Sequence, residues 1–217
     1  MSIVTLERVT LTIGVRALLG PIDARIEAGQ VLSIMGPSGS GKSSLLAFMC
    51  GVSSRAISGK GQVFLDDEDI TNKPPERRGL GILFQDDLLF PHLSVADNLA
   101  FGLGRTKQGA HQRSAVISRA LESFGLEGFG PRDPASLSGG QRARVALLRT
   151  MLSQPRALLL DEPFAHLDAE TRDGVRALVF AEIRQRKLPA LLVTHDEHDV
   201  AAAAGPVIRL NGPGALS

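Results

Sequence analysis

Short apolar runs, punctuated by glycine, proline and charged residues, split the chain into stretches of strand-like and helix-like period. Alternation of apolar and polar positions predicts a strand near Ile3–Leu11 and another near Ile22–Ile26. Gln30–Met35 (QVLSIM) is nearly continuous in apolar character, the pattern of a strand buried on both faces. It runs into glycine-rich Gly36–Ser43 and then a helical pattern over Lys42–Cys50, closed by Gly51. GQVFLDD (61–67) and GLGILF (79–84) read as two further strands. From Gln85 to Ser153 no stretch reads as a strand, and helical patterns cover Ser94–Leu103, Ala110–Phe124 and Gln141–Ser153. Beyond this helical insertion, ALLLD (157–161) and ALLVTH (190–195) are again buried strands. The helix Ala169–Lys187 between them predicts a right-handed parallel crossover. PVIRLNG (206–212) supplies a last strand, so the pattern is that of an α/β protein.

Composition narrows the setting. The 217 residues are 43% hydrophobic and 22% charged, as in a soluble globular protein. A net charge of +1 provides no strong field for nucleic acid or an acidic membrane, and no nucleic-acid partner is expected. No stretch reaches the roughly 18 apolar residues of a membrane span. MSIVTLERVT alternates like a strand and carries early charges, unlike a signal peptide. The single cysteine, Cys50, permits no internal disulfide, fits a reducing cytosol and reads as a small core residue on a helix.

Glycines spaced as in GPSGSGKS (Gly36–Ser43) let backbone N–H groups converge on phosphate oxygens, while the following helix adds positive potential. The stretch fits G-x-x-x-x-G-K-[ST] and sits between a buried strand and a helix, as that chemistry requires. Gly36, Pro37, Ser38, Gly39, Ser40, Gly41, Lys42, Ser43 and Ser44 are therefore candidates to wrap a nucleotide's phosphates. Lys42 would reach the β- and γ-phosphates, and Ser43 Oγ would ligate Mg²⁺. Asp161 and Glu162 close the buried strand ALLLD at its C-terminal end, where ligands sit in open α/β sheets. Asp161 is the candidate to hold Mg²⁺ through water, and Glu162 the candidate general base for the attacking water.

LSGGQRARVALLR (137–149) opens a helix with residues that form helices poorly. A serine N-cap is ordinary. Paired glycines instead leave backbone that an anion can approach closely, and a second γ-phosphate across a dimer interface is the candidate anion. Taken with the phosphate loop, LSGGQ makes the chain resemble the ATP-binding cassette (ABC) ATPases, whose signature it matches. The family pattern covers nearly the whole chain in order: the phosphate loop, Gln85 as the Q-loop, Leu137–Gln141 as the signature, Asp161 and Glu162, AHLD (165–168) as the D-loop, and His195 as the switch histidine.

This resemblance implies a P-loop NTPase core with a mostly parallel sheet, a small N-terminal antiparallel β part and an inserted helical subdomain. It implies one ABC ATPase domain over 1–217, with 1–84 and 154–217 as the nucleotide-binding core and 85–153 as the helical subdomain. Two cassettes would bind head to tail, as a homodimer or with a paired cassette. Ser138, Gly139, Gly140 and Gln141 of one would then press on ATP held by the other. Gln85 would join Ser43 and Asp161 at Mg²⁺, and His195 would touch the γ-phosphate.

HDEHD (195–199) also has the content of a metal cluster. The favoured reading is that His195 ends a strand while Asp196, Glu197 and Asp199 open a helix, where its dipole favours negative charge, leaving His198 towards solvent. Gly81–Leu103 is similar to the Q-loop region of bacterial importer ATPases for iron, polyamines, molybdate or thiamine, and Asp133–Phe164 resembles stand-alone YnjD-type cassettes. In an importer Leu88, Leu89, Phe90 and Leu93 would line a groove for a short helix of the membrane permease; the alternative is packing inside the helical subdomain. The implied protein is an importer ATPase on the cytoplasmic face of the bacterial inner membrane, served by permease subunits and a periplasmic substrate-binding protein. An exporter or lipoprotein-release cassette and a soluble ABC ATPase are the rival readings.

Two departures from the family matter. The segment after His195 is too short for the regulatory β-barrel of many importer ATPases. The adenine-stacking aromatic is replaced by Ile13 in VTLTIG (9–14), and the first phenylalanine is Phe48. A nucleotide is then expected to be held mainly through its triphosphate and Mg²⁺, with weak discrimination between ATP and GTP.

Overall fold

The computed structural model describes residues 2–104, 109–212 and 215–216. In chain order the strands are β1 (Val4–Ile13), β2 (Arg16–Ile26), β3 (Val31–Met35), β4 (Ile57–Leu65), β5 (Glu68–Asp69), β6 (Leu80–Leu83), β7 (Ala157–Asp161), β8 (Ala190–Thr194), β9 (Val207–Gly212) and β10 (Ala215–Leu216). The α-helices are α1 (Lys42–Cys50), α2 (Val95–Gly102), α3 (Ala110–Ser123), α4 (Gly139–Leu152), α5 (Ala169–Arg186) and α6 (Glu197–Ala203). The chain divides into two compact units, one of Met1–Ile82, Arg156–Glu162 and Phe180–Ser217, the other of Leu83–Pro155 and Pro163–Val179.

The first unit holds two sheets. One is antiparallel, in the order β2-β1-β4-β5; the other has the order β10-β9-β3-β8-β7-β6. In the larger sheet β3 pairs parallel with β8 and β9, and β8 pairs parallel with β7. Every residue of β3 and β8 is buried, which is why both read as apolar runs without alternation. Leu6, Ile22 and Val63 from the antiparallel sheet share one core with Ile34, Leu159 and Val193 from the parallel sheet and with Leu45 and Leu46 of α1. Cys50 packs half-buried against this core, and burial pushes its thiol up to about 11, against the opposing pull of Arg78.

Several boundaries differ from the pattern-based expectation, each for a local reason. β2 starts at Arg16 rather than Ile22, because Gly20–Pro21 interrupts its alternation without ending its pairing to β1. β4 starts at Ile57, where an exposed polar half still pairs with β1, and stops at Leu65, before Asp66 turns at φ +59°. β9 is not the last strand, since β10 folds back antiparallel on it. α4 starts at Gly139 rather than Gln141, so both signature glycines lie inside its first turn.

In the second unit α2, α3 and α4 pack together, and their Val95, Leu99, Ile117, Leu121, Val145 and Leu148 are all buried. Ser94 caps α2 by accepting the Asp97 N–H at 3.1 Å. Asn98, fully buried, accepts the Phe90 N–H at 2.8 Å and donates to the carbonyls of Phe90, Leu93 and Ser94 at 3.0–3.2 Å. One side chain thereby sets the course of the loop that precedes α2. Asn98→Ala removes this network and strands buried backbone groups, which should cost roughly 2 kcal/mol or more in urea denaturation. Asn98→Asp should fare no better, since a carboxylate cannot donate to carbonyls. A loss below about 0.5 kcal/mol would show that the loop is held by other contacts.

Candidate functional site

β3 delivers the chain to Gly36, and the loop enters α1 at Lys42. Gly41, the N-cap residue, has φ +94°, a left-handed conformation that penalises any side chain, and a Cβ there would meet Leu18 and Leu19 at 3.0–3.1 Å. Among the described residues no side chain caps α1, so the start of the helix is open to an outside acceptor. Lys42 is only 5% exposed, and its Nζ donates to the carbonyls of Gly36 at 2.8 Å and Pro37 at 3.1 Å. The buried Ser40 hydroxyl has no hydrogen-bond partner among the described residues. A glycine cradle, an uncapped helix start and a buried ammonium fit a polyphosphate anion.

Beside this cradle, Ser43 Oγ donates to Asp161 Oδ1 at 2.8 Å. Burial raises the Asp161 carboxyl above the usual range; the Ser43 bond opposes the rise, neighbouring Glu162 adds to it and Lys42 counters it. A hydroxyl and a carboxylate at this spacing are hard oxygen donors of the kind that hold Mg²⁺. Glu162 stands at φ +45°, strained for a non-glycine residue, with its N–H donated to Val193 O at 3.0 Å. Its Oε2 lies 2.9 Å from His195 Nδ1. A cleft of about 350 Å³ adjoins, lined by Met35, Gly36, Pro37, His195, Arg209 and Leu210.

The carboxylates after His195 serve separate ends. Asp196 caps α6 by accepting the His198 N–H, Glu197 pairs with Arg209 through two bonds of 2.7 and 3.1 Å, and buried Asp199 accepts from Thr194 Oγ1 at 2.8 Å. Ile13 ends β1 at 47% exposure, next to the Gly14-Val15 turn.

The remaining candidates lie in the second unit. Ser138 caps α4 in a capping box with Gln141: its Oγ accepts the Gln141 N–H, and Gln141 Oε1 accepts the Ser138 N–H at 3.0 Å. Gly140 is buried, and a Cβ there would sit 2.1 Å from Thr171 Cγ2, whereas Gly139 has ordinary space around it. The paired glycines therefore have two explanations: packing of α5 dictates Gly140, and Gly139 keeps the helix start bare. Gln85 is exposed, with its Nε2 3.0 Å from His166 Nε2. His166 escaped the sequence reading, where a lone histidine in AHLD was its one signal.

The loop after Gln85 is clamped by α4. Arg149 donates to the carbonyls of Leu88 at 2.7 Å and Asp87 at 3.2 Å, and Arg142 Nε lies 3.3 Å from the Asp87 carboxylate. Burial pushes the Asp87 carboxyl up and the Arg149 guanidinium down. Leu88, at φ +45°, is 54% exposed, and Phe84 and Phe101 are exposed as well. Phe90 is half-buried, edge-on to Phe101 with centroids 4.8 Å apart.

The family model described as ABC transporter matches residues 19–165. The chain is 47% identical over 196 residues to the ABC transporter ATP-binding protein YnjD of Escherichia coli, covering 90% of each chain. It is 38% identical to a sulfate/thiosulfate import ATP-binding protein, CysA 2 of Agrobacterium fabrum, over 97% of this chain. It is 36% identical to an Fe(3+) ions import ATP-binding protein, FbpC 1 of Haemophilus influenzae, over 95% of this chain. The match spans 62% of the length of each of these two import proteins.

The raised Asp161 carboxyl has a measurable consequence for the metal-free protein. Its ionised form is disfavoured by folding, so wild type loses this contribution as pH rises through the raised value and regains it on acidification. Asp161→Asn should therefore raise the melting temperature in chelator at about pH 7.5, with a gap that closes towards about pH 4. A variant less stable than wild type at neutral pH would mean that the Ser43 bond outweighs burial.

Proposed function

This chain belongs to the ATP-binding cassette (ABC) transporter family, and on that premise we propose that it is the ATP-hydrolysing subunit of a bacterial importer. The observation that carries the reading is the Glu162–His195 pair standing beside a phosphate cradle whose Ser43 already meets Asp161. Lys42 exchanges its two loop carbonyls for β- and γ-phosphate oxygens. Ser43 and Asp161 would hold Mg²⁺, with Gln85 as the candidate further ligand; when bound, the ion would neutralise charge on the β- and γ-phosphates. Glu162, with one carboxylate oxygen engaged by His195, takes the water proton on the other. With Nδ1 at Glu162, His195 has Nε2 left for the γ-phosphate. Only when that nitrogen also carries a proton can it donate to a phosphate oxygen, and that hydrogen bond would then stabilise the developing charge.

The two units work as one ATPase domain over 1–217, with 85–153 supplying the helical subdomain. Ser138, Gly139, Gly140 and Gln141 serve the nucleotide of a second, head-to-tail copy or a paired cassette, and the missing side chain of Gly140 also makes room for Thr171. The CysA and FbpC relatives are import proteins by name, which supports an importer over an exporter. Partners are then an integral permease and a periplasmic substrate-binding protein, at the cytoplasmic face of the inner membrane. Among the described residues no helix is long and apolar enough to cross a membrane. Exposed Leu88 and Phe101, flanking half-buried Phe90, suit the permease contact better than interior packing.

Glu162→Gln should retain ATP binding and lose about 10²- to 10⁴-fold in turnover, the usual worth of a general base. Phosphate release at a near wild-type rate would remove Glu162 from that role. Leu88→Asp should leave circular dichroism unchanged, because the side chain is already more than half exposed. It should nevertheless abolish co-purification with the integral subunit that accompanies the wild-type chain from membranes. Undiminished co-purification would place the permease contact elsewhere.

A further inference from the structure

His166 sits between β7 and α5 with a polar group on each ring nitrogen. Its Nδ1 lies 3.1 Å from Asp86 Oδ1, and its Nε2 lies 3.0 Å from Gln85 Nε2. A ring nitrogen facing a carboxylate oxygen carries the proton, so Nδ1–H donates to Asp86. In the neutral ring Nε2 then offers a lone pair alone, and the group opposite must be a donor. The NH₂ end of the Gln85 amide meets that demand; its Oε1 cannot.

We propose that His166 is a positioning residue that fixes the amide of Gln85, turning Nε2 towards the ring and leaving Oε1 for a cation or its water. The inference rests on the reading of Gln85 as a Mg²⁺ ligand. The two ends of a side-chain amide are nearly equal in shape, so an isolated glutamine presents either one. Oε1 is the only atom of that side chain that can ligate a hard cation. Asp86 sets the histidine tautomer, and the histidine sets the amide, as partners of metal-ligating groups commonly do. Gln85 and Asp86 are chain neighbours, so the backbone presents both to one imidazole. The side chains of His166 and Asp86 are 58% and 73% exposed, which keeps the effect to that of one solvated hydrogen bond.

Four variants test this. His166→Ala removes the acceptor, His166→Gln restores an oxygen acceptor at similar reach, His166→Lys offers donors alone, and Gln85→Ala removes the amide. In the protein without nucleotide or metal, ¹⁵N resonances should place the ring proton on Nδ1. The side-chain NH₂ resonance that Gln85→Ala eliminates should shift in His166→Ala and His166→Lys and return in His166→Gln. In ATP hydrolysis the Mg²⁺ requirement should rise about three- to tenfold in His166→Ala and at least as far in His166→Lys, with KM for ATP at saturating Mg²⁺ unchanged. His166→Gln should restore it. A ring proton on Nε2, an unmoved Gln85 resonance, or a loss confined to ATP-dependent dimer formation overturns the proposal. If Gln85→Ala itself leaves the Mg²⁺ requirement unchanged, the ligand reading fails; if Gln85→Ala raises it and His166→Ala does not, the positioning role alone fails.

Discussion

A nearly fully buried ammonium at the positive end of a helix is the constraint on which the site depends. Lys42 occupies the first turn of α1, where the helix dipole disfavours a cation, and its charge is met by the carbonyls of Gly36 and Pro37. Burial of a charge without a full counter-charge is costly, so this geometry calls for an anion. The left-handed Gly41 and the buried Ser40 hydroxyl belong to the same demand. Each is a small local cost that a triphosphate can offset.

Sheet order then decides which groups stand beside that loop. β3, β8 and β7 are neighbours and run parallel, with Met35 opposite Thr194 and Asp161 opposite Val193. Their C-terminal ends fall at one edge, so the loop after β3, His195 after β8 and Asp161–Glu162 at β7 converge there. The positive φ of Glu162 belongs to this arrangement: the residue leaves the strand sharply, and its carboxylate reaches His195. Such strain persists where the surrounding structure over-determines it.

The second unit solves a different problem, that of holding an exposed loop in one shape. Asn98 fixes the backbone from Phe90 to Ser94, while Arg142 and Arg149 of α4 grip Asp87 and Leu88. The helix that begins at the signature and the loop that follows Gln85 are therefore tied by half-buried and exposed hydrogen bonds. The apolar side chains of that loop remain accessible because its backbone is secured by polar side chains.

The sequence alone placed the phosphate-loop motif, the acidic strand end and the signature on their strands, loops and helices, because spacing along a strand–loop–helix is a local property. It determined the buried strands β3, β7 and β8 for the same reason, since burial on both faces writes an unbroken apolar run. The first half of β2 was illegible, because Gly20–Pro21 breaks the alternation while the pairing to β1 continues. Only the tertiary structure showed β8 lying between β3 and β7, which places His195 beside Glu162, because strand order is set by packing between distant segments. The same holds for Gly140, whose missing side chain answers to Thr171 of α5. It holds too for His166, whose two ring nitrogens acquire their partners only when the chain brings Gln85 and Asp86 to them.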